Sequence, residues 1–312
     1  MGNSVSLPSE VLFNGIKHMD FEKLRTLAVV NRQLRPLVKT VLRLRVYGGL
    51  KPFMSESKIV SFLSTLAKTD SVVGGSVAQG IITPSIFYNS SPRNLNIFVP
   101  EDHAERWEDY LEEEFGYLAD RREAHWSRTV KTLTFMFLKE DCLEGYVRDG
   151  ALGIVICESY GSSCLVPILA SPFTSQMNFL TESYIYCLHP RLTPNLMTVE
   201  VPAPSGNETL EDAQDEYKEL LRTRGLEVLD ENAQDVLCGE GAFCLGLLRF
   251  FGMKIIGREK CAGDAVSMVY WNEDGDMDDF LGQKGVRFWM GGRPEGVNCE
   301  HKAHASRLLK FS

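Results

Sequence analysis

Residues 72–80 read VVGGSVAQG, and residues 93–100 read RNLNIFVP. Gly74, Gly75 and Ser76 follow two β-branched residues, so a short strand running into a glycine turn is expected. The backbone N–H groups of such a turn suit a phosphate. A phosphoryl-transfer centre of this kind carries acids on the next strand, because two divalent cations held close together need anionic oxygens. The corresponding positions here are Asn94 and Asn96. An amide oxygen can ligate a hard cation but brings no charge, so the pair makes a poor two-metal site. A third ligand would come from 152–158, where Ile154 and Ile156 are apolar and Glu158 stands at the strand end.

Other constellations are weaker. Cys238, Cys244, Cys261 and Cys299, with His301 and His304, contain no tight Cys-x-x-Cys pair. Zinc ligands usually come in pairs about two to four residues apart, so core thiols and a polar tail are the plainer reading. NEDGDMDD at 272–279 lacks the Gly and Glu spacing of a calcium loop and reads as a polar turn. Cys157, Cys164 and His189 could form a thiol nucleophile, but no activating signature accompanies them, and a structural role is expected.

These residues need elements to hold them. Pro8, Ser9 and Glu10 open a helix with apolar Val11, Leu12, Ile16 and Met19. A second helical run follows Asp20, with Phe21, Leu24, Leu27, Ala28 and Val30. Pro36 restarts the pattern, and Gly48-Gly49 is expected to end the third helix. Ser55–Lys68 is amphipathic, with Ile59, Val60, Phe62, Leu63 and Leu66 on one face. Residues 94–99 alternate as a strand, a helix with an acidic outer face is expected over 101–119, and further strands over 131–138, 152–158 and 184–188. Residues 200–214 begin as a surface linker, and a helix follows over 209–224.

Charge divides the chain. Residues 1–58 hold ten Lys/Arg against four acids, a balance of +6, which leaves −15 for the rest of a chain whose net charge is −9. The division predicts a boundary near residue 50 and argues against nucleic acid as a partner of the whole. Eight scattered cysteines and an N-terminus without an apolar leader predict a reducing compartment, cytoplasm or nucleus. The start MGNSVS fits a myristoylation pattern with Gly2 as acceptor, which implies weak membrane association if the residue is acylated.

Three resemblances bear on function. Leu7-Pro8-x-Glu10-Val11-Leu12, then Ile16, Leu24, Leu27 and Val30-Asn31-Arg32-x-Leu34-Arg35, resemble the F-box over residues 6–46. The resemblance implies docking on the Skp subunit of a cullin ubiquitin ligase through Leu7, Pro8, Leu12, Ile16, Leu24, Leu27 and Val30. The remainder would capture an unidentified protein substrate. Leu34 stands where that family often has Trp, and no Trp lies near residue 44. A helical cap on the following domain is the plainer alternative. Gly74, Gly75, Ser76, Asn94 and Asn96 resemble the nucleotidyltransferase fold, whose second strand carries Asp-x-Asp; the resemblance implies a nucleotide-binding turn in a body without its acids. Residues 70–300, with TSQMNFLTESYIYCLHPRLT at 174–193 and CGEGAFCLGLLRFFG at 238–252, resemble a group of basidiomycete fungal proteins without an established activity.

The expectation is therefore an α+β protein: an F-box-like helical segment at 1–50 and a nucleotidyltransferase-like mixed sheet flanked by helices at 51–312. Its favoured role is an adaptor with a catalytically inactive recognition body and no cofactor. A divergent nucleotidyltransferase using nucleotide and magnesium, and a nucleotide-binding pseudoenzyme, stay open.

Overall fold

A computed structural model describes residues 9–87, 92–124, 127, 129–138, 142–143, 146–147, 152–190, 192–200 and 208–229, with short strands at 249–250, 267–270 and 287–288. The helices are α1 (Ser9–Ile16), α2 (Phe21–Val30), α3 (Arg35–Leu50), α4 (Glu56–Lys68), α5 (Gly75–Ile82), α6 (Ala104–Phe115), α7 (Val166–Leu169) and α8 (Glu208–Thr223). The strands are β1 (Val72–Gly74), β2 (Asn94–Val99), β3 (Tyr117–Glu123), β4 (Val130–Leu138), β5 (Cys142–Leu143), β6 (Tyr146–Val147) and β7 (Gly153–Ser159). They continue as β8 (Phe179–Leu180), β9 (Tyr184–Cys187), β10 (Met197–Val199), β11 (Glu227–Leu229), β12 (Arg249–Phe250), β13 (Ser267–Tyr270) and β14 (Arg287–Phe288).

The main sheet is mixed, which places the chain in the α+β class. Seven strands run in the order β9-β8-β1-β2-β7-β4-β3, and β13 pairs outside β9. Only β2 and β7 are parallel to each other; the other pairs of this sheet are antiparallel. Opposed residues share a face. Leu95, Ile97 and Val99 of β2 therefore lie on one face with Ile154 and Ile156 of β7 and Met136 of β4. Asn94, Asn96 and Phe98 lie on the other, with Gly153, Val155 and Cys157.

The first face carries the main core. One apolar cluster joins Ile16, Phe21, Leu24, Val38, Leu42 and Leu50 to Phe62, Val77, Trp107 and the strand residues Val73, Leu95, Ile97, Ile156 and Ile185. Residues on both sides of position 50 thus share one core. Trp107 is fully buried, donates from Nε1 to Thr69 Oγ1 and Ser71 Oγ at 3.0 Å each, and meets Phe62 edge-on. A second cluster covers the opposite face at β1, β8 and β9, where Val72, Phe179 and Tyr186 pack on Ile168 and Leu165. The Phe179 and Tyr186 rings stack with centroids 4.6 Å apart.

Two boundaries differ from the sequence reading. Gly48-Gly49 does not end α3; the helix continues to Leu50. A Cβ at Gly49 would meet Val77 Cγ1 at 3.3 Å, so the missing side chain lets α3 approach α5. That packing outweighs the propensity cost of about 1 kcal/mol per glycine. The acidic helix stops at Phe115 instead of running to 119, because Gly116 adopts φ 71° and its N–H bonds back to the carbonyls of Glu112 and Leu111. The chain then turns straight into β3.

The first helices are tied together by polar contacts. Asp20 caps α2 by accepting from the Lys23 backbone N–H at 2.8 Å. Arg45 of α3 donates Nη2 to the Lys17 carbonyl at 3.1 Å and to the Met19 carbonyl, fixing the α1–α2 turn. Burial lowers the Arg45 guanidinium to about 10 against the opposing charge of Asp20. The expected helix at 209–224 is observed as α8, and no helix among the described residues is long and apolar enough to cross a membrane.

Candidate functional site

The stretch GGS followed by NLN forms one continuous site at the junction of β1, α5 and β2. Gly74 ends β1 opposite Asn96, and α5 starts at Gly75. Gly75 sits at φ +65°, where an L side chain is strained. A Cβ there would lie 2.5 Å from Asn96 Nδ2, and one on Gly74 would lie 2.7 Å from Phe98 Cε2. Both glycines are thus required by close approach. No side chain caps α5, so its first N–H groups keep no side-chain acceptor.

Asn94 and Asn96 project from one face of β2, half-buried, and Asn94 Nδ2 donates to Asn96 Oδ1 at 2.6 Å. That bond engages one amide donor of Asn94 and the amide oxygen of Asn96. The sequence reading brought Gly74, Gly75, Ser76, Asn94 and Asn96 together, and the fold does place them around one turn. Their chemistry is neutral hydrogen bonding. It suits an anion on the turn better than a pair of divalent cations.

Glu158 is elsewhere. It pairs in register with Val99 on β2 and Thr132 on β4, which puts it on the core face, opposite the asparagines. The β7 residue opposed to Asn96 is Val155, not Ile154 or Ile156. Glu158 therefore cannot complete a ligand set with Asn94 and Asn96. It is 1% exposed. Its Oε1 accepts from the Asp102 backbone N–H at 2.7 Å and its Oε2 from Thr132 Oγ1 at 2.7 Å. Arg121 and Lys131 approach it at 3.5 and 3.7 Å. Lys131 also meets Asp102 and Glu101, and these carboxylates raise its pKa above the ordinary value. The network fixes the turn between β2 and α6, where Asp102 has φ 65°.

Cys157, Cys164 and His189 are all buried. Burial pushes the Cys157 thiol up to about 12, the opposite of nucleophilic activation. Cys187, also buried and reduced, is raised by burial and by the charge of Glu22. Gly2, Leu7, Pro8, Cys238, Cys244, Cys261, Cys299, His301, His304 and the 272–279 stretch lie outside the described residues.

The docking residues divide. Ile16 and Leu24 are buried in the chain's own core, at 4% and 0% exposure, and Leu12 and Leu27 are half-buried. Val30 is 73% exposed, and its neighbour Val29 is 65% exposed. Val11 and Leu44 are exposed as well. Sequence reasoning passed over Val11, Val29 and Leu44 as possible contacts, because periodicity alone assigns apolar residues to a core.

No family model matches the chain, and no curated protein matches it.

Proposed function

We propose that the chain is an F-box-type adaptor: α1–α3 dock on a Skp-type ligase subunit, and the sheet with its helices recognises a protein substrate. The observation that carries the reading is the Val29–Val30 pair, adjacent apolar side chains left in water at the end of α2 inside the segment that resembles the F-box. Exposed Arg32 and Arg35 follow the pair in the chain. Ile16 and Leu24 hold the segment in shape, and the docking surface is narrower than the resemblance implied. The body is a nucleotidyltransferase-like scaffold without its acids, and over residues 70–300 it resembles the fungal group named above.

The test is co-purification of the full chain carrying Val29→Asp and Val30→Asp. Both positions are exposed, so the melting temperature should hold while the ligase subunit is lost. Undiminished co-purification would overturn the adaptor reading.

A second reading rests on the turn itself. The uncapped start of α5, held against Asn96 through Gly75, supports a nucleotide-binding module without chemistry. Calorimetry with ATP or CTP separates the cases. Heat indifferent to magnesium supports it, heat that requires magnesium favours a divergent nucleotidyltransferase, and no heat removes both.

A further inference from the structure

The sheet ends on β3, whose only strand partner among the described residues is β4. Every residue from 118 to 123 is exposed. A strand of seven residues paired on one side alone is a template for one more strand. What surrounds the edge decides which strand fits.

Helix α6 packs beside β3 on the core face. Glu105, Glu108 and Glu112 share one flank of it by their spacing, and Arg121 of β3 reaches Glu105 at 3.2 Å and Glu108 at 3.9 Å, which identifies that flank as the one along the edge. Arg121 is thereby committed to Glu105, Glu108 and the buried Glu158. On the other face, Arg122 is bound to its own Asp120 at 3.1 and 2.6 Å and lies over the Phe135 ring at 5.1 Å. Both cations of the strand are thus engaged within the chain. Glu105, Glu112 and Glu123 remain exposed on the α6 side, and Leu118 is 45% exposed on the other.

We infer that β3 accepts an extended peptide segment with Lys or Arg at alternate positions facing α6 and apolar residues facing Leu118. Main-chain pairing supplies the attachment, and the Glu105–Glu112 flank selects the sequence. A second copy of this chain fits poorly, because edge-to-edge pairing sets two acidic α6 flanks side by side. The inference stands apart from ligase docking, which is tested at Val29 and Val30; either can fail while the other holds.

The test uses the full chain and a short fluorescent peptide of alternating Lys and Val, read by anisotropy. Binding should weaken as salt rises. Two versions of the peptide carry N-methyl groups on one or the other alternate set of amides, and at least one should bind about tenfold or more weakly. Glu105→Gln with Glu112→Gln, both at exposed positions, should weaken the parent peptide about three- to tenfold with unchanged melting. The inference is overturned if both methylated peptides bind like the parent, if a Glu/Val peptide binds as tightly, or if the double variant binds unchanged. A dimer seen by sedimentation and dissociated by the peptide would assign the edge to a second copy and overturn it as well.

Discussion

The two faces of the β2–β7 pair have opposite chemistry. One carries Asn94 and Asn96, bonded to each other, beside Val155 and Cys157. The other buries Glu158 among an N–H donor, a hydroxyl and two cations. A carboxylate near the strand end is thus present but turned toward the core. Strand parity, not distance along the chain, decides whether an acid serves a site or a scaffold.

The largest effect should come from breaking the charged face. Glu158→Ala strands the Asp102 N–H, the Thr132 hydroxyl and the nearby cations, and should cost about 2–4 kcal/mol in urea unfolding. A cost under about 0.5 kcal/mol would mean the network contributes nothing.

On the neutral face, Gly75→Ala meets both the positive φ and the Asn96 amide. A loss of about 1–2 kcal/mol is expected, read by the same unfolding curve. A neutral outcome would show that the turn relaxes freely.

Asn94→Asp with Asn96→Asp replaces a hydrogen bond by two like charges and should lower stability by about 1 kcal/mol without metal. Magnesium should restore it, seen as a thermal shift absent from the unchanged chain. If magnesium has no effect, the face is no metal scaffold even with its acids.

The smallest effect lies away from the sheet, at Asp20. Burial pushes its carboxyl upward, but the Lys23 side-chain and backbone hydrogen bonds and the Lys23 charge outweigh this and hold it below its ordinary 3.8. A depressed carboxylate stabilises fully above its unfolded value and loses that contribution as pH falls through the folded one. Asp20→Asn should therefore lower stability by about 0.5–1 kcal/mol at neutral pH and flatten the acid limb below 3.8. An unchanged acid limb would remove Asp20 as a contributor.

Much of the site was legible. Alternation around Leu95 and Ile97 predicted which side of β2 holds the asparagines, because that strand is apolar on one face only. The same logic failed on β7, where Ile154, Val155, Ile156 and Cys157 are apolar on both faces and parity leaves no trace. Strand β3 escaped notice because its first residues, 117–119, read as the tail of the acidic helix, and only the Gly116 cap separates the two. The docking residues came from the F-box resemblance, and helical spacing cannot tell a core stripe from a partner stripe.

By itself the sequence determined the helical start, the glycine turn, the alternating strand and the loss of charge at Asn94 and Asn96. These are local properties, set by backbone freedom, period and side-chain chemistry. The tertiary structure alone decided that Glu158 faces inward, that Ile16 and Leu24 are core while Val29 and Val30 are not, and that β3 is the last strand of the sheet among the described residues. Those outcomes depend on which strands become neighbours and in what register, and long-range packing fixes that.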